Sequence, residues 1–474
     1  MFFRQSSVFT KRTAAVIFLY FTSLGLISIG LAPEFVLASP RLPNVIREME
    51  TPGFWIKKIE NPTKLLLTSE KIQRMNEENL KRQDLRLCRI KDLKESWAKG
   101  EIVSLLREDW KDFGGAEAVR YGKDGHPLGN IFWDKLRNNM SPDSMDESSR
   151  MLFALIIRQT DIRIFPTDEP SIAAPKSFEF DLLQQSSIRT GSPIGVYRFS
   201  RDKKWAYVQT QFIRGWIHTD TLAVAEKKAE VVDYEDAADR LVVTGNLVPV
   251  FADPSLRQRA FMAQMGNSFP LLATPKDGQA FYVISIPSGE EGRRLSFRNG
   301  YLRPDEDVHQ GFLPYHQENI AHQAFKMLNH PYGWGDRRGG RDCSSFIMDL
   351  FNTFGILMPR NSKEQAWVGT GPGSIFGKSV KEKERLLGQS VPLATTLRLP
   401  GHIMLYLGRD GGRDYVIHNT WGVQKAGRAG PSFQKIGRVA VSDLSLGEEG
   451  PSGSLLDRLS DIRVIGSTDE AQDK

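Results

Sequence analysis

The chain has 474 residues, of which 40% are hydrophobic and 25% are charged. That length exceeds one ordinary domain and predicts roughly three or four globular domains of about 100–200 residues each. The 63 lysines and arginines exceed the 57 acidic residues, giving a net charge of +6 with no block of like charges, so the sequence predicts no nucleic-acid partner. A mildly basic chain is compatible with an anionic surface such as a cell envelope.

The N-terminal residues 1–38 have the pattern of an export signal. Arg4, Lys11 and Arg12 precede the apolar run TAAVIFLYFTSLGLISIGLA, and FVLASP then supplies small residues at the spacing that signal peptidase prefers. The run is also long enough to span a bilayer, so an uncleaved anchor is the alternative. We predict export to the periplasm or cell envelope, with no stable membrane span once the signal is removed.

The remaining chain divides into four segments that differ in the pattern of their apolar and polar residues. Residues 39–159 are helical in character, with one helix expected near Leu65–Asn79. Residues 160–230 and 231–312 contain short alternating apolar runs between turn residues. These runs predict two small β-barrels, or alternatively one larger β-domain. Residues 313–474 mix helix and strand signals.

The two cysteines lie in different surroundings. Cys88 sits among leucines in LKRQDLRLCRIKDL, as a small hydrophobic residue would. Cys343 begins a helix that the spacing predicts over residues 343–354, with Asp342 as a candidate cap. Gly355 supplies a stop signal for that helix. A helix N-terminus stabilises a thiolate through its unpaired amides and its dipole, so Cys343 is the candidate nucleophile.

A hairpin supplies the candidate base. In HIMLYLGRDGGRDYVIHNTW one strand begins at His402 and the returning strand reaches His418. A turn centred at residue 410 would set these histidines opposite each other, so that His402 accepts the proton of Cys343 and His418 holds its tautomer. A metal site is the alternative, but this segment has no third histidine or carboxylate at zinc-type spacing.

Residues 315–440 resemble the NlpC/p60 cell-wall cysteine peptidases. HPYGWGDRRGGRDCSSFIMDLFNTFGILMPRNSKEQA carries the Tyr-x-Trp-Gly, Asp-Cys-Ser and Pro-Arg-x-Ser elements in order, and GHIMLYLG and VIHNTWG follow. The preceding chain is similar to the subgroup with a stabilising N-terminal segment and two bacterial SH3-like barrels. Ser345 stands where the family usually has glycine, YGWGD lacks the common second glycine, and LRLPGHIMLYLG shortens the element before the histidine strand.

The resemblance implies an acyl-enzyme mechanism in which Cys343 is the nucleophile, His402 the general base and His418 the orienting residue. Tyr332 would lie near the oxyanion. Asp342 would pair with a free α-ammonium at the L-Ala end of the substrate. The resemblance implies five substrate-binding residues: Asp342, Ser344, Asn361, Ser362 and Tyr207, with Tyr197 as an alternative to Tyr207.

The expected fold is therefore α+β, with a papain-like NlpC-type domain preceded by a helical segment and two SH3-like β-barrels. The expected function is hydrolysis of the γ-D-glutamyl–diamino acid bond in peptidoglycan stem peptides, without metal or organic cofactor. An amidase or acyltransferase on the same scaffold is one alternative. A wall-binding protein without catalytic activity is the alternative from a different class.

Overall fold

A computed structural model describes residues 40–113, 119–140, 147–175, 179–276, 281–305, 307–427 and 432–466. The predicted export signal, residues 1–38, lies outside the described residues. In the described part of the chain no helix has the length and apolar character to cross a membrane. The elements that follow all belong to one unit of contacting residues, Arg41–Lys474.

The first part of this unit is mainly helical. Its α-helices are α1 (Pro52–Ile56), α2 (Ser69–Lys81), α3 (Lys99–Phe113) and α4 (Asn130–Met140). Strands β1 (Ser96–Ala98) and β2 (Ser148–Arg150) form a small antiparallel pair. The predicted helix is α2, and its N-cap is Thr68, whose hydroxyl accepts a hydrogen bond from the Lys71 amide at 3.4 Å.

Seven antiparallel strands follow as the first sheet. They are β3 (Leu152–Ile156), β4 (Thr160–Arg163), β5 (Gln184–Ile188), β6 (Pro193–Phe199), β7 (Trp205–Gln209), β8 (Arg214–His218) and β9 (Leu222–Val224). Their order in the sheet is β5-β4-β8-β7-β6-β3-β9. Strand β3 thus begins before residue 160, the predicted start of the first β-rich segment.

Helix α5 (Lys228–Glu235) leads to a second sheet of seven strands. They are β10 (Arg240–Val243), β11 (Leu247–Phe251), β12 (Arg259–Gln264), β13 (Ser268–Ala273), β14 (Tyr282–Gly289), β15 (Leu295–Leu302) and β16 (Val308–Gln310). Their order is β12-β11-β15-β14-β13-β10-β16. Each sheet surrounds its own apolar cluster, which favours two small domains over one larger β-domain.

The sheets are open, and the prediction of closed barrels is wrong in this respect. In the described chain the first and last strands of each order do not pair with each other. The edge strand β5 instead lies against residues 334–339, where Gln184 donates a hydrogen bond to the Gly335 carbonyl at 2.9 Å. Because residues 334–339 cover this edge strand, it does not need to pair with the strand at the opposite edge of the sheet.

The C-terminal part combines a six-stranded antiparallel sheet with helices. The helices are α6 (Gln317–Lys326), α7 (Cys343–Asn352), α8 (Ser362–Gln365), α9 (Val380–Gly388) and α10 (Leu455–Arg458). The strands are β17 (Thr370–Ser374), β18 (Thr395–Leu399), β19 (His402–Asp410), β20 (Arg413–Lys425), β21 (Ser432–Asp443) and β22 (Asp461–Val464), in the order β17-β22-β18-β19-β20-β21. Helix α7 packs on β19 and β20.

Helix α7 ends at Asn352, two residues before the predicted end. The expected stop residue, Gly355, adopts a φ of +73°, a conformation that glycine reaches without strain. A Cβ atom at this position would lie 2.8 Å from the Phe312 ring, so both the backbone and the packing favour glycine here.

The predicted hairpin is present, but its turn lies further along the chain. Asp410 pairs with Arg413, which leaves Gly411–Gly412 as the two-residue turn. Both glycines have positive φ angles, 52° and 80°, as the tight hairpin turns with positive φ at both central residues require.

The register therefore differs from the predicted one. Leu405 pairs with Ile417, and continuing this register sets His418 opposite Met404. His402 is then the diagonal neighbour of His418 on the same face of the sheet. Because diagonal neighbours remain within reach of long side chains, the two imidazoles still meet.

A buried carboxylate in α7 links three parts of the structure. Asp349 is fully buried and accepts a hydrogen bond from Arg341 Nε at 2.6 Å and another from Arg189 of the first sheet. Arg189 also donates to the Met265 carbonyl, which lies between strands of the second sheet, at 2.8 Å. The helix and both sheets are thus joined through one ionic network.

We expect Arg189→Ala to lower the free energy of unfolding by about 1.5–3 kcal/mol, since a charged hydrogen bond to a buried carboxylate is lost. Urea denaturation followed by tryptophan fluorescence measures the change. Arg158→Ala is the control, because its ion pair with Asp220 is exposed and contributes little. Equal losses in the two variants would contradict a special role for the buried network.

Candidate active site

Cys343 occupies the first position of α7, as predicted. Its neighbour Asp342 is the N-cap, and one carboxylate oxygen accepts hydrogen bonds from the amides of Ser344 at 3.1 Å and Ser345 at 2.9 Å. The Ser345 hydroxyl accepts in return from the Asp342 amide at 2.9 Å. This capping box fixes the helix end from which the thiol projects.

The thiol is buried, with 7% of the residue exposed. Burial raises the pKa of Cys343 to about 12, and the negative charge of Asp342 acts in the same direction. The backbone amide of Ile403 hydrogen-bonds to the sulfur and lowers the pKa, but does not outweigh burial. The helix terminus alone therefore does not produce a thiolate, and a base beside the sulfur is required.

The nearest residues of β19 supply this base. Ile403, whose amide contacts the sulfur, directly follows His402. The His402 Nε2 atom lies 2.7 Å from Nδ1 of His418. In the described part of the chain His402 Nδ1 has no hydrogen-bond partner, which leaves this nitrogen available to the thiol. The structure thus brings the three predicted residues together at the start of α7.

Burial keeps both imidazoles neutral. It lowers the pKa of His402 to about 4, an effect that the positive charge of Arg458 increases. It also lowers the pKa of His418, with His402 as the second cause. Cys343 and His402 therefore rest as a neutral thiol and a neutral imidazole, so the reactive thiolate forms only when the sulfur loses its proton to a base.

Ser442 extends this chain of contacts and was missed in the sequence. Its hydroxyl lies 3.1 Å from Nε2 of His418, and the residue is 1% exposed. If His418 donates from Nε2 to Ser442, its Nδ1 carries no proton and must accept a hydrogen bond from His402 Nε2. The basic lone pair of His402 is then on Nδ1, which is the atom left for the thiol. No sequence motif marked Ser442; only the pairing of β20 with β21 brings it here.

The backbone of Tyr332 forms a parallel β-bridge with Arg341. Because Arg341 lies two residues before Cys343, this bridge places Tyr332 beside the nucleophile. Burial raises the pKa of Tyr332, and the nearby Cys343 and Asp342 add to the effect. In the described part of the chain its hydroxyl has no protein partner, so this group can donate a hydrogen bond to an oxyanion.

Asp342 and Ser344 lie beside Cys343, but they are engaged by Arg360. Arg360 donates to the two carboxylate oxygens of Asp342 at 3.2 and 2.8 Å and to the Ser344 hydroxyl at 2.8 Å. Arg360 is 2% exposed, and its charge lowers the pKa of Asp342 despite burial. The negative charge that we expected to meet an ammonium is thus already paired.

A second carboxylate shares the same guanidinium. Asp336 is 4% exposed; its Oδ2 atom lies 3.4 Å from Arg360 and accepts a hydrogen bond from the Ser186 hydroxyl at 3.2 Å. Among the residues that the structure describes, its buried Oδ1 atom has no hydrogen-bond partner. Burial raises the pKa of Asp336. Two carboxylates therefore face one guanidinium next to the nucleophile.

The remaining predicted residues have different outcomes. Asn361 and Ser362 lie at the start of α8, immediately after Arg360, where Asn361 is exposed and Ser362 half-buried.

The structure does not bring Tyr207 to the site. Tyr207 is fully buried, its hydroxyl bonds to Asp109, and its ring packs on Trp216 at 5.1 Å. Tyr197, the alternative, packs against Tyr207 in the same core at 5.4 Å.

Phe180 is the aromatic residue that the first part of the chain supplies instead. Its ring lies 5.3 Å from Trp334 and 5.7 Å from Trp421. Trp421 in turn lies 5.7 Å from Tyr332, so these half-buried rings form a continuous wall beside the nucleophile. Successive side chains of a strand point to opposite faces of the sheet, and this alternation directs Tyr207 of β7 into the core. Phe180 lies before β5, outside the strands, and faces the neighbouring domain.

Among the described residues no three or more histidine, cysteine, aspartate or glutamate side chains come together as metal ligands. Cys88, the second cysteine, has a free thiol that donates to the Thr210 carbonyl at 3.3 Å. Burial raises its pKa to about 12. Cys88 thus has a packing role, and its contacts are with residues other than the two catalytic histidines.

Family models match two parts of the chain. An SH3 domain of the SH3b1 type matches residues 170–218, and the NlpC/P60 family matches residues 329–435. The second match contains Cys343, His402 and His418. The chain therefore carries an SH3-type domain and an NlpC/P60 domain, which confirms the resemblance. The SH3-like character of the second sheet and the domain boundaries stay predictions.

Individual relatives are distant. The γ-D-glutamyl-L-lysine dipeptidyl-peptidase of Bacillus cereus is 22% identical over 171 residues, which are 35% of this chain and 47% of that protein. The match thus spans about half the length of that relative. An NlpC/P60 endopeptidase from Photobacterium damselae subsp. piscicida has 19% identity and a TM-score of 0.72, with 90% of this chain and 99% of that chain covered. This similarity establishes the shared fold.

The neutral state of His402 predicts an acid-sensitive stability. Its pKa is about 4 in the folded chain against an ordinary value of 6.5, so between these pH values the unfolded chain binds more protons. Its contribution to stability is complete above pH 6.5 and is lost as the pH falls towards 4. We expect the free energy of unfolding to fall less steeply over this range in His402→Gln than in the wild type.

Urea denaturation at several pH values measures these slopes. His322→Gln is the control, because this histidine is exposed on α6. A His402→Gln slope equal to that of the wild type would show that His402 is not held neutral by burial.

Proposed function

We propose that this chain, which carries an NlpC/P60 domain, is an exported peptidoglycan hydrolase. It cleaves the amide bond between γ-D-glutamate and the diamino acid of stem peptides, with preference for those that have a free N-terminal L-Ala. The observation that carries the proposal is the contact between His402 and His418 at 2.7 Å beside the capped start of α7. This arrangement fits acyl transfer by a thiol.

The reaction begins when Cys343 transfers its proton to Nδ1 of His402. The thiolate attacks the γ-carbonyl carbon of D-glutamate, and the resulting oxyanion accepts hydrogen bonds from the Tyr332 hydroxyl and from amides at the start of α7. The imidazolium of His402 then protonates the departing nitrogen, and the C–N bond breaks. Water, deprotonated by His402, hydrolyses the thioester and restores the thiol.

The charge network supports selection of a free amine. Asp336 and Asp342 together carry more potential negative charge than Arg360 neutralises, and Asp336 retains a buried oxygen without a partner. An ammonium group would complete this network, whereas an acetylated nitrogen would leave the oxygen unpaired. Leaving a buried polar group unpaired discriminates strongly against the blocked substrate.

Two features support peptidoglycan as the source of the substrate. The first is the curated relative, whose name specifies a γ-D-glutamyl bond. The second is the N-terminal signal pattern, from which we infer the periplasm or cell envelope as the location. The same catalytic residues could also serve an amidase or acyltransferase. A role in wall binding alone does not explain a buried thiol at the start of α7 together with the hydrogen-bonded histidines His402 and His418.

The decisive measurement is mass spectrometry of the purified full chain incubated with L-Ala-γ-D-Glu-diaminopimelate and with its N-acetylated form. We expect release of diaminopimelate from the free peptide, little from the acetylated peptide, and none with Cys343→Ala. Circular dichroism shows whether that variant is folded. Absence of cleavage by a folded wild-type chain would refute the peptidase proposal, and equal cleavage of both peptides would refute the preference for a free amine.

Ser442 provides a further test of the mechanism. In Ser442→Ala, His418 can hold its proton on Nδ1, which forces the proton of His402 to Nδ1 and removes the base. We expect a loss of about 10–100-fold in kcat, with smaller effect on KM and an altered pH profile. Ser442→Thr keeps the hydroxyl and should retain most of the activity.

Ser445→Ala is the matched control, since its hydroxyl bonds to Asp443 rather than to a histidine. Unchanged kcat in Ser442→Ala, or an equal loss in Ser445→Ala, would exclude tautomer control by Ser442.

A further inference from the structure

A cleft lies beside the end of the strand that carries His402, because Leu399, which pairs with His402, is part of its lining. Its volume is about 400 Å³, and its lining includes Phe376, Lys378, Pro400 and Arg458. It shares no lining residue with the wall formed by Phe180, Trp334, Trp421 and Tyr332. The mechanism described above assigns no role to it.

The cleft is connected to the catalytic base through the β18–β19 hairpin. Leu399, which also lines the cleft, pairs directly with His402, and Pro400 lies in the turn between them. The positive charge of Arg458 reaches His402, because it is the second cause of the lowered pKa of that imidazole. The cleft therefore lies close to the imidazole that protonates the departing group.

The lining is predominantly cationic at one end. Arg458, Lys378 and Lys383 line this end together with one carboxylate, Asp457, and Lys378 also lies 3.8 Å from Glu382. Asp457 is engaged at its own helix start, where it accepts hydrogen bonds from Ser454 at 2.6 and 2.9 Å.

The cations differ in their availability. Lys383 is 4% exposed and donates to the Leu456 and Asp457 carbonyls at 3.2 and 2.7 Å, so its charge is fixed inside the lining. Arg458 is half-buried and uses Nε to contact the Ser454 carbonyl at 3.3 Å. In the described part of the chain its two terminal nitrogens have no protein partner. This fork matches a carboxylate.

The other end of the cleft is apolar. Phe376 is 81% exposed, and Leu399, Pro400 and Leu459 continue the surface. A large aromatic side chain so exposed next to a cationic fork suits a ligand with an aliphatic stem and a terminal carboxylate.

We propose that this cleft binds the side chain of the departing diamino acid, with its terminal carboxylate on Arg458. The inference rests on the proposed function. The cleft selects diaminopimelate over lysine. Both have an aliphatic side chain with an amine, but only diaminopimelate has a carboxylate at the end of its side chain. The acyl half of the substrate then lies beside Tyr332 and Asp342, neither of which lines this cleft.

The test compares three tripeptides of L-Ala-γ-D-Glu that end in diaminopimelate, in diaminopimelate amidated at the side-chain carboxyl, or in lysine. We expect the wild type to favour the first by about tenfold or more in kcat/KM, the range of a charged hydrogen bond. Arg458→Gln should remove this preference, with a much larger rise in KM for the diaminopimelate peptide than for the lysine peptide. Arg458→Lys, which keeps the charge, should retain part of it.

Arg385→Gln on α9 is the matched control, because Arg385 is exposed and contacts Gln389 outside the cleft. Equal wild-type cleavage of all three peptides would overturn the cleft proposal while the proposed function stands. An equal effect of Arg458→Gln on the diaminopimelate and lysine peptides would also overturn it.

Binding separates this proposal from catalysis. Isothermal titration calorimetry with Cys343→Ala should show tighter binding of the diaminopimelate peptide, lost in the double variant with Arg458→Gln. If the wild type cleaves no peptide but this binding preference is present, the proposed function fails and the cleft assignment stands. Equal binding of the three peptides would overturn the assignment.

Discussion

The buried contact between Asp342 and Arg360 fixes the end of the helix from which the nucleophile projects. Asp342 caps the helix, and Arg360 neutralises the resulting buried charge while it also donates to Ser186 of the first sheet at 2.6 Å. Loss of the guanidinium would leave an uncompensated carboxylate beside the thiol. The position of Cys343 therefore depends on this ionic contact, which also contributes to the seating of the first sheet on the catalytic domain.

Desolvation is the second constraint on the site. It keeps Cys343 protonated and both histidines neutral, so the reactive ion pair forms only when a proton moves from sulfur to imidazole. The hydrogen bonds from His402 through His418 to Ser442 then decide which nitrogen is basic. Because these groups are buried, their geometry is preorganised and water does not compete for the hydrogen bonds.

The sequence was informative where chemistry depends on local pattern. Helix α7, its cap and its glycine stop followed from residue types and spacing, and so did the hairpin that carries the two histidines. It was less informative about contacts between segments. The turn lies at Gly411–Gly412, so the histidines meet diagonally rather than directly, and the two seven-stranded sheets are open. Tyr207 was assigned to the site on resemblance, whereas core packing buries it.

The sequence by itself thus determined the α+β fold class, the nucleophile on its helix and the two histidines, because capping, periodicity and turn chemistry act over a few residues. Only the tertiary structure decided which distant side chains complete the site. Ser442, Phe180 and Asp336 come from a third strand, a loop of another domain and a strained turn, and no local signal links them to Cys343. Their roles arise from burial and charge balance, which exist only once the separate segments have packed together.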